Sequence, residues 1–167
     1  MKLLPLLLKE MKEEGATTRK FLALVPDDKH SWKPHEKSMA MINLATHIAE
    51  LPTWVPLAIN TTELDFEKSG YNPVKLNNRE ELLAYFDKNL EDALKQLESA
   101  DEEKLVNDNW KLRSGETIHV DTTKYGMIRV ALSQTIHHRA QLGVYFRLLG
   151  IPLPGSYGPT ADTQSFV

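Results

Sequence analysis

Four stretches of this chain repeat apolar residues at the three- and four-residue spacing of a helix face, with prolines and glycines gathered mostly between them. Such a pattern restricts the chain to an all-α fold in which the helices bury those faces against one another. The first stretch runs from Leu3 to Leu24, where Leu4, Leu7, Leu8, Met11, Phe21 and Leu22 are close to helical register, and Val25-Pro26-Asp27-Asp28 ends it. Lys29 to Lys37, which holds Trp32 and Pro34, reads as a loop. Ser38 is expected to cap the second helix, whose Leu44, Ala45, Ile48, Ala49 and Leu51 give a broad apolar surface, with Pro52 and Pro56 expected to kink or end it. A link from about Asn60 to Leu76 follows.

The third helix is the clearest. Asn77 or Asn78 caps it, Glu80 and Glu81 sit at its positive end, and Leu83, Phe86, Leu90, Leu94 and Leu97 form its stripe up to Ala100. Residues 101 to 121 read as irregular, with a tight turn at Arg113-Ser114-Gly115-Glu116 between short extended pieces. The last helix starts at Thr122 or Thr123 and ends at Leu149, where Gly150, Pro152 and Pro154 stop it. The tail beyond is too rich in helix breakers to be regular. The expectation is a single domain over residues 1–167: a four-helix bundle with long crossover connections and an irregular C-terminal tail.

Composition narrows the function. A net charge of −3 argues against a nucleic-acid surface, and the absence of Cys removes disulfides, thiolate ligands and a Cys nucleophile together. The apolar start is short, broken by Pro5 and followed at once by Lys9, Glu10 and Lys12, so neither export nor a membrane span is expected and the cytoplasm is the expected location. Any metal would have to be held by imidazole, carboxylate, amide or water.

Of the six His residues, context raises two. His47 lies mid-helix among Ala45, Ile48 and Ala49, where an inward imidazole needs a partner: a hydroxyl, a carbonyl or a metal ion. Gln134, His138, Gln141 and Tyr145 share one stripe of the last helix, while His137 is turned about 100° away and is expected at a helix interface. Two His from separate helices begin a zinc- or nickel-type site, with Gln134 the nearest third donor. An amide oxygen is a poor ligand for such ions, so the site is expected to be weak. Trp54 and Tyr145 are candidates for its wall. Glu116-Thr117-Ile118-His119 has the Glu-x-x-His spacing of di-iron bundles but occurs once, in an irregular stretch, and reads as coincidence.

Three segments resemble the DinB family: Trp32-Lys33-Pro34-His35-Glu36-Lys37-Ser38, Ala45-Thr46-His47-Ile48-Ala49-Glu50, and above all His137-His138-Arg139-Ala140-Gln141-Leu142-Gly143-Val144-Tyr145 joined to the tail Tyr157-Gly158-Pro159-Thr160-Ala161-Asp162. The resemblance implies a four-helix bundle that often forms homodimers. It also implies a divalent metal held by one His of the second helix and two His, four apart, on the last. Carried onto this chain, the ligands are His47 and His138, with Gln134 where the family has a third His. The activity it implies is transfer onto a low-molecular-weight thiol, as in relatives that include maleylpyruvate isomerase and mycothiol- or bacillithiol-dependent enzymes, the metal holding the thiol as thiolate. Against this stands a metal-free bundle, a binder of small ligands or a homodimeric structural protein, in which His47, Gln134 and His138 form a buried hydrogen-bond network.

Overall fold

The first apolar stretch folds as α1, Leu3–Leu22, and the computed structural model describes residues 2–70 and 72–164 of the chain. The helix has no side-chain cap of its own. Its first N–H groups are taken up from a distance: Glu102 accepts from the Leu3 and Leu4 amides at 3.0 and 3.1 Å. These two bonds are the main reason the Glu102 carboxyl lies below its usual pKa. A lowered carboxylate pKa contributes stability that is present above the unfolded-chain value and lost as pH falls through the folded one. Glu102→Gln is therefore expected to lower Tm by about 2–4 °C at neutral pH. The gap between the two proteins should close as Glu102 is protonated; a gap unchanged down to acid pH would show that the carboxylate charge is irrelevant.

A 3-10 turn at Asp27–Lys29 and a loop lead to α2, Met41–Glu50. Ser38 is not its cap; Ala40 is, and it offers no side-chain acceptor. Loop carbonyls do that work instead, with Trp32 accepting from the Met41 amide at 2.9 Å and His30 from the Ile42 amide at 3.1 Å. Pro52 ends regular hydrogen bonding in a 3-10 turn, Leu51–Thr53, and the chain resumes as α3, Trp54–Asn60, with Pro56 tolerated in its first turn. The expected link then contains a short strand, β1, Glu63–Asp65, and one helical turn, α4, Phe66–Ser69.

The third apolar stretch is α5, Arg79–Glu98. Asn78 caps it by accepting from the Glu81 amide at 2.8 Å, and Glu81 reaches back to the Asn77 amide at 2.8 Å. Leu82, Phe86, Ala93 and Leu97 are its buried residues, whereas Leu83 and Leu94 sit half-buried at the edge.

Residues 101–121 correct the all-helical expectation. They form α6, Glu102–Asn107, then a hairpin of β2, Asn109–Ser114, and β3, Thr117–Thr123. Strand β2 pairs antiparallel with β3 and parallel with β1, giving a three-stranded sheet in the order β1-β2-β3. The turn sits at Gly115, whose φ of 55° is the left-handed region that glycine takes without strain. Asp65 pins this turn, accepting from the Gly115 amide at 3.0 Å while facing Arg113 at 3.2 Å. The strands escape a helix-period reading because β2 alternates about Trp110 and Leu112 over only six residues.

Thr123 caps the last helix, α7, Lys124–Leu148, by accepting from the Gly126 amide at 3.0 Å. Gly150, at φ 71°, closes it as expected. Helix α7 packs on α1, α2 and α3, and α5 packs on the same three. Two apolar clusters result. One joins Phe21, Leu22, Leu44, Ile48, Phe86 and Phe146; the other joins Met11, Val55, Leu97, Trp110, Met127 and Ile128. The fold is thus mostly helical with a minor sheet, and no helix among the described residues is long and apolar enough to cross a membrane.

Candidate functional site

Helix α2 buries Leu44, Ala45, Ile48 and Ala49, which leaves His47 on its flank, half-buried. Helix α7 buries Thr135, Arg139 and Leu142, which turns His138 to the same side of the molecule. The two rings meet edge to face, their centroids 4.8 Å apart and their planes at 76°. Both line a cleft of about 990 Å³ whose walls include Ile42, Thr46, Glu50, Trp54 and Phe66, closed on one side by the segment 72–77. The cleft is mainly apolar, with its chemistry concentrated at one wall.

Hydrogen bonds orient that wall. The His138 Nδ1–H donates to Gln141 Oε1 at 2.8 Å, and the Gln141 amide N–H donates to His137 Nε2 at 3.0 Å. Since the amide oxygen that faces it only accepts, Gln141 assigns the proton of His138 to Nδ1 and leaves a lone pair on its Nε2. Burial pushes the His138 pKa below the ordinary histidine value, the nearby His47 and His137 push the same way, and the Gln141 bond opposes them. His138 is therefore a neutral imidazole near pH 7, a free base or a ligand. Glu50 faces His47 Nδ1 at 3.8 Å, ion-pair rather than hydrogen-bond distance.

The sequence profile of the DinB family matches residues 1–164. The chain belongs to the DinB family. Its fold is similar to the crystal structures of a DinB-like protein from Bacillus subtilis (TM-score 0.70, 21% identity, 89% of this chain and 95% of that one) and of another from Bacillus cereus ATCC 10987 (TM-score 0.68, 18% identity, 90% and 95%). Among curated proteins, no sequence matches it.

The DinB pattern of ligands meets this structure only in part. His47 and His138 come together, but Gln134 does not join them. Gln134 is exposed and lines a shallow groove with Arg129, Val130, Ser133 and His137. It lies one helical turn, about 6 Å along the axis, before His138 and is not among the residues that line the cleft. The buried His47–Gln134–His138 network expected of a metal-free bundle is likewise absent from the hydrogen bonds of the described residues. Among those residues no three His, Asp or Glu side chains gather in a way that could hold a metal ion. The nitrogen donors at the cleft wall are two imidazoles, one of them oriented by Gln141.

His137, expected at a helix interface, is exposed, its ring 4.9 Å from that of His138. Trp54 lines the cleft, while Tyr145 is buried beside it and donates to the Met39 carbonyl at 3.0 Å. Sequence reasoning missed Gln141 as the orienting partner, although its place three residues after His138 was visible. It also missed Glu50, three residues after His47, for which the same i, i+3 spacing was the available signal. Phe66 and the segment 72–77 carried no signal, because only tertiary folding brings them to the cleft.

Proposed function

We propose that this DinB-family protein binds a small molecule in the α2–α7 cleft and that His47 and His138 hold a divalent transition-metal ion, zinc or nickel, weakly at its wall. The observation that carries the reading is the meeting of two imidazoles from different helices, 4.8 Å between ring centroids, on the wall of a large, mainly apolar cleft. Two protein ligands instead of three make for low affinity and leave positions for water or substrate. A bound divalent ion would supply Lewis acidity, which keeps a thiol ionised near neutral pH. The chain's own residues supply the rest: Gln141 keeps the His138 proton on Nδ1 and so leaves Nε2 free, and Ile42, Trp54 and Phe66 offer an apolar wall to an electrophile. The transfer onto a low-molecular-weight thiol implied by family resemblance is the reaction such a wall suits. The frame is that of a four-helix bundle formed by α1, α2, α5 and α7.

A second reading, a metal-free cleft that binds small ligands through the two imidazoles, is favoured by the lack of a third ligand among the described residues. Metal content decides between them. In untagged protein, mass spectrometry is expected to find sub-stoichiometric zinc or nickel, reduced to background by His47→Ala and by His138→Ala and unchanged by Gln134→Ala. Equal trace metal in all four proteins would leave the metal-free reading standing.

A further inference from the structure

The cleft has a neighbour. A recess of about 380 Å³, lined by Lys37, Ser38, Gln141, Val144 and Tyr145, adjoins it and shares two residues with it, Met39 and His138. Met39 is the divider, and its carbonyl is held by the hydroxyl of the buried Tyr145. The loop on the other side is braced by its own bonds. The Lys37 amide donates to His35 Nδ1 at 3.2 Å, the Ser38 amide to the His35 carbonyl at 3.0 Å, and the Lys33 ammonium to the Glu36 carbonyl at 2.7 Å.

The two spaces differ in chemistry. Both are mainly apolar, but the larger carries a carboxylate, Glu50, together with an ammonium, Lys75, on its wall. The recess has no carboxylate in its lining and does have the Lys37 ammonium, which forms no ion pair among the described residues. The Ser38 hydroxyl beside it makes no hydrogen bond among those residues either. A cation and a hydroxyl on consecutive residues of one lining, with no acid in that lining to satisfy them, favour an anion.

We propose that this recess is a second binding subsite, for a small carboxylate-bearing molecule, so that the site holds two molecules that meet at His138. This rests on the proposed small-molecule function of the cleft but not on a metal. The carboxylate faces Lys37 and Ser38, the remainder of the molecule points toward the His138 ring, and an apolar partner occupies the larger space on the other side of Met39. A site of this form serves a two-substrate reaction rather than a hydrolysis.

The probes are succinate for the recess and 2-naphthol for the cleft, titrated into EDTA-treated, isotope-labelled protein and followed by amide chemical shifts. Succinate is expected to shift Lys37, Ser38 and Gln141, naphthol to shift Asn43, Thr46 and Phe66, and each to bind in the presence of the other. Lys37→Glu, at an exposed position whose change leaves the core untouched, should weaken succinate about tenfold or more and leave naphthol unchanged. The proposal is overturned if succinate fails to bind, is displaced by naphthol, or binds the Lys37→Glu protein as well as the parent. Because the protein is stripped of metal beforehand, failure here is separate from failure of the metal reading, and loss of naphthol binding alone would count against the cleft.

Discussion

Arg139→Ala is expected to destabilise the protein by about 3–5 kcal/mol, because it strands a buried carboxylate. The Arg139 side chain is 3% exposed, and its Nη1 lies 2.7 Å from Glu14 Oε2. The same guanidinium donates to Thr18 Oγ1 at 3.0 Å and to the Tyr157 hydroxyl at 2.8 Å, and Tyr157 donates in turn to Glu14 Oε1 at 2.7 Å. One cation thereby ties α1, α7 and the C-terminal tail together, directly beside His138. With Arg139 gone, Glu14 keeps only the tyrosine hydroxyl among the partners that face its carboxylate. For a chain of this length the loss corresponds to about 6–20 °C in Tm. Calorimetry checks it, and a change below a degree or two would mean that water replaces the guanidinium freely. The double variant Glu14→Leu, Arg139→Met should recover most of the loss, since it removes both charges and keeps their volume.

The second large effect is expected at the sheet. Trp110→Ala should cost about 3–5 kcal/mol. Trp110 is fully buried in the cluster formed with Met11, Val55 and Ile128, and its indole N–H donates to Thr61 Oγ1 at 2.9 Å. Removing it leaves a cavity among helices α1, α3 and α7 and deprives the Thr61 hydroxyl of its donor. Trp110→Phe, which keeps most of the volume and loses only the hydrogen bond, should cost clearly less. Urea unfolding reads both: a lower midpoint at unchanged slope is expected, and an alanine variant within 1 kcal/mol of the parent would show that the sheet is an ornament to the helical core.

Both effects fall where periodicity carries little information. Trp110 belongs to a stretch that reads as irregular, because six-residue strands flanked by polar residues show too few repeats to set a period against a helix. Arg139 sits in the middle of a helix, where a sequence reading assigns a charged residue to solvent; only the arrival of Glu14, Thr18 and Tyr157 makes its burial tolerable. The helices themselves were legible. The Asn78 cap with Glu81 three residues on, the Thr123 start of α7 and the Gly150 stop each satisfy backbone groups locally, so the residues that do it lie within a few positions. The missed cap at Ser38 makes the same point in reverse, since α2 begins against carbonyls of a preceding loop.

The candidate site divides in the same way. His47 and His138 were singled out by their apolar neighbours, and that signal is local to each helix. Whether Gln134 or Gln141 attends His138 depends on the tilt of α7 against α2, which one-dimensional spacing does not contain: both lie on the His138 stripe, one turn to either side.

By itself the sequence determined the long helices, their stops and the family, since capping, apolar period and motif are properties of neighbouring residues. Tertiary structure alone decided that 101–121 becomes a short helix and two strands, that Arg139 is buried, and that Gln141 rather than Gln134 holds the His138 ring. The pairing of β2 with β1 and the burial of Arg139 against Glu14 depend on groups more than 40 positions apart meeting in space, and the free energy of such meetings is written in no local pattern.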